Sequence, residues 1–543
     1  MRRFTLATAV AAIVLPLLVM PPAAADTVVE APTVPVQEIG PGLYFPQSNT
    51  YELHEVDVTV GAIGRRHDVS VVDGGLAKPE TAPASRPELG VFGPGWQAEI
   101  LGGTITRKLE VQSGAIVVTE LEAGSSSRYA LTSSVSFPSG GGVQKYDAAD
   151  GSKITETTKW DASAGELRTT IVETLPASTA TDEGDDAFAG ESGAAIPAAA
   201  LSPTYTWTKL GTLQGDNWRV AGFGTSAFGT TSLTYDSAGR ISTVKEPAAG
   251  EKPEETVTFH YATTTTATSG SFGDYAGQVK QITLVSGSEA PKTVAGFDYD
   301  LSGWLRSTSD PSSGTQEDTY AYDGAGRLSE IDSLNLGTWD VSFPANSASP
   351  TVTNTEPDHP TATDALSGPA GTFDPTDTPP DPADFPNPDI DGILSSPSYC
   401  STVRNWMWYT KYGCATKVAH NGWHNPYFKK TPTGFRVVGI NYDHCTSAPD
   451  QPRWNLFYKF DYRVPCDMHD YGYGLIGNTY KGYRWYLDRN QEKSVDNLFF
   501  TTLVSKTCPK YILLSRPSCL RWAVIYRVGV ALGKPKNGAD KTR

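Results

Sequence analysis

The sequence predicts a multidomain protein with three parts: a β-rich body, an acidic Pro-rich linker and an all-α, disulfide-bearing C-terminal domain. Three observations carry that expectation. Over most of the first 345 residues apolar and polar side chains alternate with period two between Gly and Pro clusters, the pattern of half-buried strands. Eleven prolines fall between Pro350 and Pro397, and no Lys or Arg occurs between Arg327 and Arg404. All six cysteines, Cys400, Cys414, Cys445, Cys466, Cys508 and Cys519, lie near or beyond the end of that stretch. A chain of 543 residues is also too long for one ordinary domain.

Residues 1–25 read as a secretory signal peptide. Arg2-Arg3 is followed by an apolar run from Leu6 to Met20 and by Ala23-Ala24-Ala25 before Asp26. The run is too short, and too interrupted by Pro16, for a membrane anchor. The expected location is therefore secreted, where cysteines pair. Residues 26–132 form the first β-rich region, with alternating stretches such as Glu55–Val60 and Ala115–Glu120. Within it Gly90-Val-Phe-Gly-Pro-Gly-Trp96 predicts a tight turn closed by a buried Trp. Residues 133–345 form the second, interrupted by an acidic, Ala-rich loop from Ser178 to Ala200. His54, His67, His260 and His359 are scattered through body and linker and are expected at the surface.

The second region repeats itself. Tyr235-Asp236-Ser-Ala-Gly239-Arg240-Ile241 returns as Tyr322-Asp323-Gly-Ala-Gly326-Arg327-Leu328. Tyr299-Asp300-Leu-Ser-Gly303-Trp304-Leu305 is a weaker copy, and Tyr146-Asp147 a fragment of one. Such a unit makes a hairpin: the Tyr packs, Asp and Gly make the turn, and the next apolar residue starts the returning strand. The pattern resembles the YD repeats of RHS-type proteins, which build stacked or shell-like β-sheet. Four recognisable copies are fewer than a closed shell is expected to need, which favours a binding module.

Residues 346–398, typified by Asp374-Pro-Thr-Asp-Thr-Pro-Pro-Asp381, cannot bury a core and read as an extended acidic linker. No shared core is expected to cross it, so the tail should act alone. Charge divides at the same place. From Tyr399 onward there are 22 Lys/Arg against 9 Asp/Glu, a net of +13, while the remainder carries −29. A basic domain is drawn to anionic surfaces, whether lipid, phosphate or nucleic acid.

Residues 399–543 read as helical over Tyr462–Tyr473, Arg484–Lys506 and Arg521–Leu532, the last ended by Gly533 and Pro535. The densest chemistry is Cys466-Asp-Met-His469-Asp470-Tyr471-Gly472-Tyr473. On a helix Cys466, His469, Asp470 and Tyr473 share a face. His469 suits a general base near neutral pH, and Asp470 suits a cation. Upstream, Asp443-His444-Cys445-Thr-Ser-Ala-Pro449-Asp450-Gln-Pro452 is a loop rich in hard oxygen donors of the kind that hold calcium. His420 and His424 have metal-pair spacing, but Gly422 lies between them and the His-Glu-x-x-His glutamate is missing. Trp406, Met407, Trp408, Tyr409 and Tyr412 form an aromatic cluster, read first as core and second, with Lys429-Lys430, as a lipid-facing patch.

These two motifs, in this order, resemble the small secreted phospholipases A2 of bacteria and fungi over about Asn405–Gly533. The resemblance implies a role for each matching residue. His469 would be the catalytic base, and Asp496 the aspartate that orients it. Asp443 and Asp470 would bind Ca2+ through their side chains, and His444 through its main-chain carbonyl. Cys445–Cys466 and Cys508–Cys519 match the family's two bridges. Cys400–Cys414 has no counterpart there and remains as a third pair among the 15 pairings that six cysteines allow. The family usually carries an apolar residue where His444 stands. The Tyr/Gly-rich connection from Gly474 to Arg489 leaves Asp488 and Glu492 as rivals to Asp496, because all three share a helical face. Val495, Leu498 and Phe499 around Asp496 favour it, since a buried acid needs a partner.

The expected activity is calcium-dependent hydrolysis of the sn-2 ester of a glycerophospholipid. Its partner is a phospholipid membrane or micelle surface, with no nucleic acid expected. No Gly-x-Ser-x-Gly elbow is present. Two other classes remain: a non-enzymatic surface or adhesion protein with a degenerate tail, and a basic nuclease-like toxin suggested only by the tail's charge.

Overall fold

The computed structural model describes residues 28–355, apart from 73–74, 139, 177–187, 189–194, 216, 250–251, 311–315 and 334–336. It also describes residues 402–532, apart from 410–426, 441–443, 446–447, 454–457, 482–486 and 488–490. The expected signal peptide, His359, Cys400, Cys414, Tyr412, His420, His424, Asp443 and Asp488 lie outside the described residues.

The described part of the body is β-rich, with three short 3-10 helices. A six-stranded antiparallel sheet spans Gln37 to Ile100, with Thr50–Val58 and Ile63–Val72 at its centre. The eighteen strands from Arg107–Gln112 to Thr351–Thr355 then follow one another as an antiparallel meander that closes into a barrel. The change of sheet falls between Ile100 and Arg107, whereas residue 132 lies inside the strand Ser125–Ser136. Pairing of Thr351–Thr355 with Gly337–Ser342 carries the sheet past the expected linker start at 346.

The repeat is a turn with a fixed wiring. Asp236 Oδ1 accepts from the amides of Ala238 and Arg240, Asp300 Oδ1 from those of Ser302 and Trp304, and Asp323 Oδ1 from those of Ala325 and Arg327, at 2.8–3.1 Å. The second carboxylate oxygen holds the Nε of Arg240, Arg306 or Arg327. Gly239, Gly303 and Gly326 have φ of +80°, +84° and +83°, the left-handed region where a side chain is strained. Each tyrosine hydroxyl donates to a carbonyl of the preceding strand: Tyr235 to Val220, Tyr299 to Val279, Tyr322 to Leu305. Tyr261 makes the same bond to Ile241 at 2.8 Å with no Asp after it. Tyr146 instead donates to Glu156 Oε2 on the neighbouring strand, so it is not a copy.

The expectation that so few copies do not close is therefore corrected. The barrel closes because hairpins without the motif still alternate and pair. His54 and His67 are corrected as well: His67 is buried, and the His54 side chain is only 4% exposed. His54 bridges Glu99 and Glu52, and His67 hydrogen-bonds the Gly95 carbonyl beside buried Trp96, at the predicted Gly-Pro-Gly-Trp turn.

The tail has four described helices: α1 (Val403–Met407), α2 (Arg463–Lys481), α3 (Glu492–Lys506) and α4 (Arg516–Leu532). A hairpin, Tyr427–Lys430 with Arg436–Gly439, packs on α2; the sequence reading had no strands there. Trp406, Met407 and Trp408 are buried with Val438, Met468, Leu475 and Val495, so these three are core.

The tail is not independent of the body. Phe188 stacks on Trp522 of α4 at 6.0 Å and meets Tyr526 edge-on at 4.9 Å. Phe499, Phe500, Leu520 and Val524 belong to the same apolar core as the barrel. Val29–Glu30 pairs in parallel with Tyr458–Lys459, and Ala31 and Val34 donate to the carbonyls of Lys459 and Lys510. Cations of the tail meet acids of the body: Arg516 with Glu52 (3.0 Å), Arg521 with Glu120 (3.2 Å), Lys493 with Glu255 (3.2 Å), and Arg527 with Glu246. A core that does cross the linker overturns the expected autonomy. Part of the tail's positive charge answers the body's negative charge.

Candidate active site

Helix α2 begins with Pro465 in its first turn, where a missing amide costs nothing. Cys466, His469, Asp470 and Tyr473 follow at i, i+3, i+4 and i+7. Cys466 is bonded to Cys445, with Cα atoms 5.0 Å apart, and Cys508 is bonded to Cys519. The first bridge fastens the loop carrying His444 beside the α2 face. Asp450 completes that fastening: its Oδ1 accepts the Cys445 amide at 2.9 Å, and its carbonyl accepts the Tyr462 amide.

Helices α2 and α3 approach closely because residue 472 is glycine. A Cβ there would lie 2.7 Å from Val495 Cγ1 and 2.8 Å from Met407 Sδ. The close approach sets Asp496 Oδ1 2.8 Å from His469 Nε2. Tyr473 Oη donates to the same oxygen at 2.9 Å. The imidazole is flanked by Tyr473 (4.8 Å) and Phe499 (5.0 Å). Both members of the pair are mostly buried, at 16% and 15% side-chain exposure. Burial and the Asp496 charge push the Tyr473 hydroxyl far above its ordinary range, so it stays a donor. Burial and Asp496 also raise Glu492. Glu492, a rival from the sequence, has no described bond to His469.

His444 has φ +55°, a conformation His tolerates better than most side chains. Its Nδ1 lies 2.8 Å from Asp467 Oδ1, and Lys429 Nζ lies 2.5 Å from Asp467 Oδ2. The hydrogen bond to Asp467 is the main cause that raises His444, with burial opposing it. Burial is the main cause that lowers Lys429, with Asp467 opposing it. Sequence reasoning missed Asp467 and Lys429. The available signal was an acid directly after Cys466, on the side of α2 that faces the protein.

Among the described residues no three His, Cys, Asp or Glu side chains gather as a metal cage; Asp443, the other expected carboxylate, lies outside them. The expected ligands that are described, the Asp470 carboxylate on α2 and the His444 main chain across the bridge, are hard oxygen donors. That chemistry fits calcium and not a thiolate- or imidazole-seeking metal.

Residues 299–334 match the RHS repeat family. That segment runs from one Tyr-Asp turn, at Tyr299, through the next, at Tyr322, and so covers two of the wired turns. No curated protein matches the chain.

Proposed function

We propose that the chain is a secreted calcium-dependent phospholipase A2 whose catalytic tail is carried by an RHS-like β-barrel. The observation that carries this reading is the His469 Nε2–Asp496 Oδ1 contact of 2.8 Å, next to Asp470 and across the Cys445–Cys466 bridge from His444.

The bond to Asp496 fixes the tautomer with the proton on Nε2 and leaves Nδ1 as the basic nitrogen. His469 takes a proton from water at Nδ1, and the hydroxide so generated attacks the sn-2 carbonyl. Asp496 steadies the resulting imidazolium, as the acid of a catalytic triad does. Tyr473, donating to the same oxygen, restricts rotation of the Asp496 carboxylate. The proton then passes from Nδ1 to the departing glycerol oxygen. Asp470 and the His444 carbonyl, with Asp443, would hold calcium, which when bound supplies a Lewis acid for the ester carbonyl and a counter-charge for the lipid phosphate. No serine nucleophile is required.

At least four basic side chains of the tail are paired with body acids, so part of the charge that motivates the nuclease reading is answered within the protein. Release of sn-2 fatty acid from glycerophospholipid vesicles tests the proposal. Release that needs calcium and His469 supports it, and no release from the folded chain sinks it.

A further inference from the structure

The loop that carries His444 is held at both ends by one residue. Where the hairpin strand Arg436–Gly439 ends, the Ile440 amide donates to the Asp467 carbonyl at 3.2 Å. Four residues later, His444 Nδ1 meets the Asp467 side chain at 2.8 Å. Lys429, on the other strand of the hairpin, takes the second carboxylate oxygen. The strand is seated against the same residue, since a Cβ on Gly439 would lie 3.2 Å from the Asp467 main chain. Asp467 is 1% exposed.

A buried carboxylate is costly unless it is paired, and here each oxygen has a cationic or hydrogen-bonding partner. The arrangement does more than satisfy the charge. The Cys445–Cys466 bridge fixes position 445 only. The orientation of the peptide before it, which carries the His444 carbonyl, depends on φ and ψ of His444. The imidazole is tethered to Asp467 while the backbone of His444 stands in the left-handed region, at φ +55°. Lys429 neutralises Asp467, so Asp467 does not itself compete for a cation.

We propose that Asp467 is the positioning residue of the calcium loop, acting through the His444 ring, and that His444 serves by its side chain as well as its main chain. This rests on the calcium-dependent reading above. Groups that orient metal ligands in this way typically contribute about 10–100-fold to metal affinity.

The test is calorimetric titration of the full-length protein with calcium alone, beside fatty-acid release at saturating calcium. Three variants are compared: Asp467→Asn, His444→Leu and His444→Asn. His444→Leu keeps the carbonyl and removes the tether. It is expected to weaken calcium binding about 10–100-fold while leaving the calcium-free thermal midpoint close to wild type. His444→Asn tolerates positive φ and can still donate to Asp467, so it is expected to bind within a few-fold of wild type. Asp467→Asn is expected to match His444→Leu in affinity. If it unfolds, the two His444 variants decide alone. Equal calcium midpoints for His444→Leu and wild type overturn the positioning role and leave the enzyme reading intact. A wild type that binds no calcium overturns both.

Discussion

Arg516→Met isolates what the body contributes to the tail. The Arg516 guanidinium is 8% exposed. Its Nη1 donates to both Glu52 oxygens at 3.0 and 3.2 Å, its Nη2 to the Pro509 carbonyl at 3.1 Å, and it lies 5.0 Å over the Phe45 ring. Removing one partner of a buried pair costs about 3–5 kcal/mol, because the other charge stays buried. Glu52 keeps His54 at 3.2 Å, which puts the cost at the low end, about 3 kcal/mol, or roughly 150-fold in a dissociation constant. The assay introduces a protease site into the linker, nicks the folded protein and measures retention of the tail by the body on dilution. Wild type is expected to stay associated after nicking, and Arg516→Met to dissociate about 150-fold more readily. The double variant Arg516→Met with Glu52→Gln removes both charges and should recover much of the loss. A wild-type tail that elutes alone once nicked, or a single variant that holds as tightly as wild type, refutes the shared core.

Asp496→Asn should cost most of the turnover and Glu492→Gln little, while Tyr473→Phe, which removes one donor to Asp496, should cost up to about tenfold; steady-state kinetics that reverse the first two move the orienting acid. Replacing Cys445 and Cys466 by Ser frees the loop from α2, so the calcium midpoint should shift more than the rate at saturation; an unchanged midpoint in a titration of activity against calcium places the ion elsewhere. Burial lowers the pKa of His54, but Glu99 and Glu52 outweigh it and hold it at about 9. A raised folded-state value means that its stabilisation is complete below about pH 6.5 and drains away as pH rises through about 9, an effect on the order of 3 kcal/mol. Thermal midpoints of His54→Gln should therefore fall less across that window than those of wild type, and parallel curves would contradict the imidazolium.

The sequence was informative where chemistry is local. The Tyr-Asp turn was legible because Asp, Gly and Arg satisfy each other within five residues. The face holding Cys466, His469 and Asp470 was legible because helical period alone assembles it. Barrel closure was not, since it depends on hairpins such as that of Tyr261, which keep the tyrosine bond after losing the motif. Asp467 escaped notice because its partners His444 and Lys429 lie 23 and 38 residues away. Net charge was informative only in part. It marked the tail as seeking an anionic partner, and the body's Glu52, Glu120, Glu246 and Glu255 are part of that partner. His54 and His67 were misplaced for a related reason: their partners Glu99 and the Gly95 carbonyl lie 45 and 28 residues away.

The central claim is that His469, oriented by Asp496, performs calcium-dependent ester hydrolysis. Fatty-acid release from vesicles of defined glycerophospholipid, measured on the full chain with calcium, with excess chelator and for His469→Ala, tests it most directly. The account predicts sn-2 release with calcium, none with chelator, and a loss of about 10²–10⁴-fold or more in His469→Ala with the fold intact. Undiminished release in chelator, or full activity without the His469 imidazole, would contradict it.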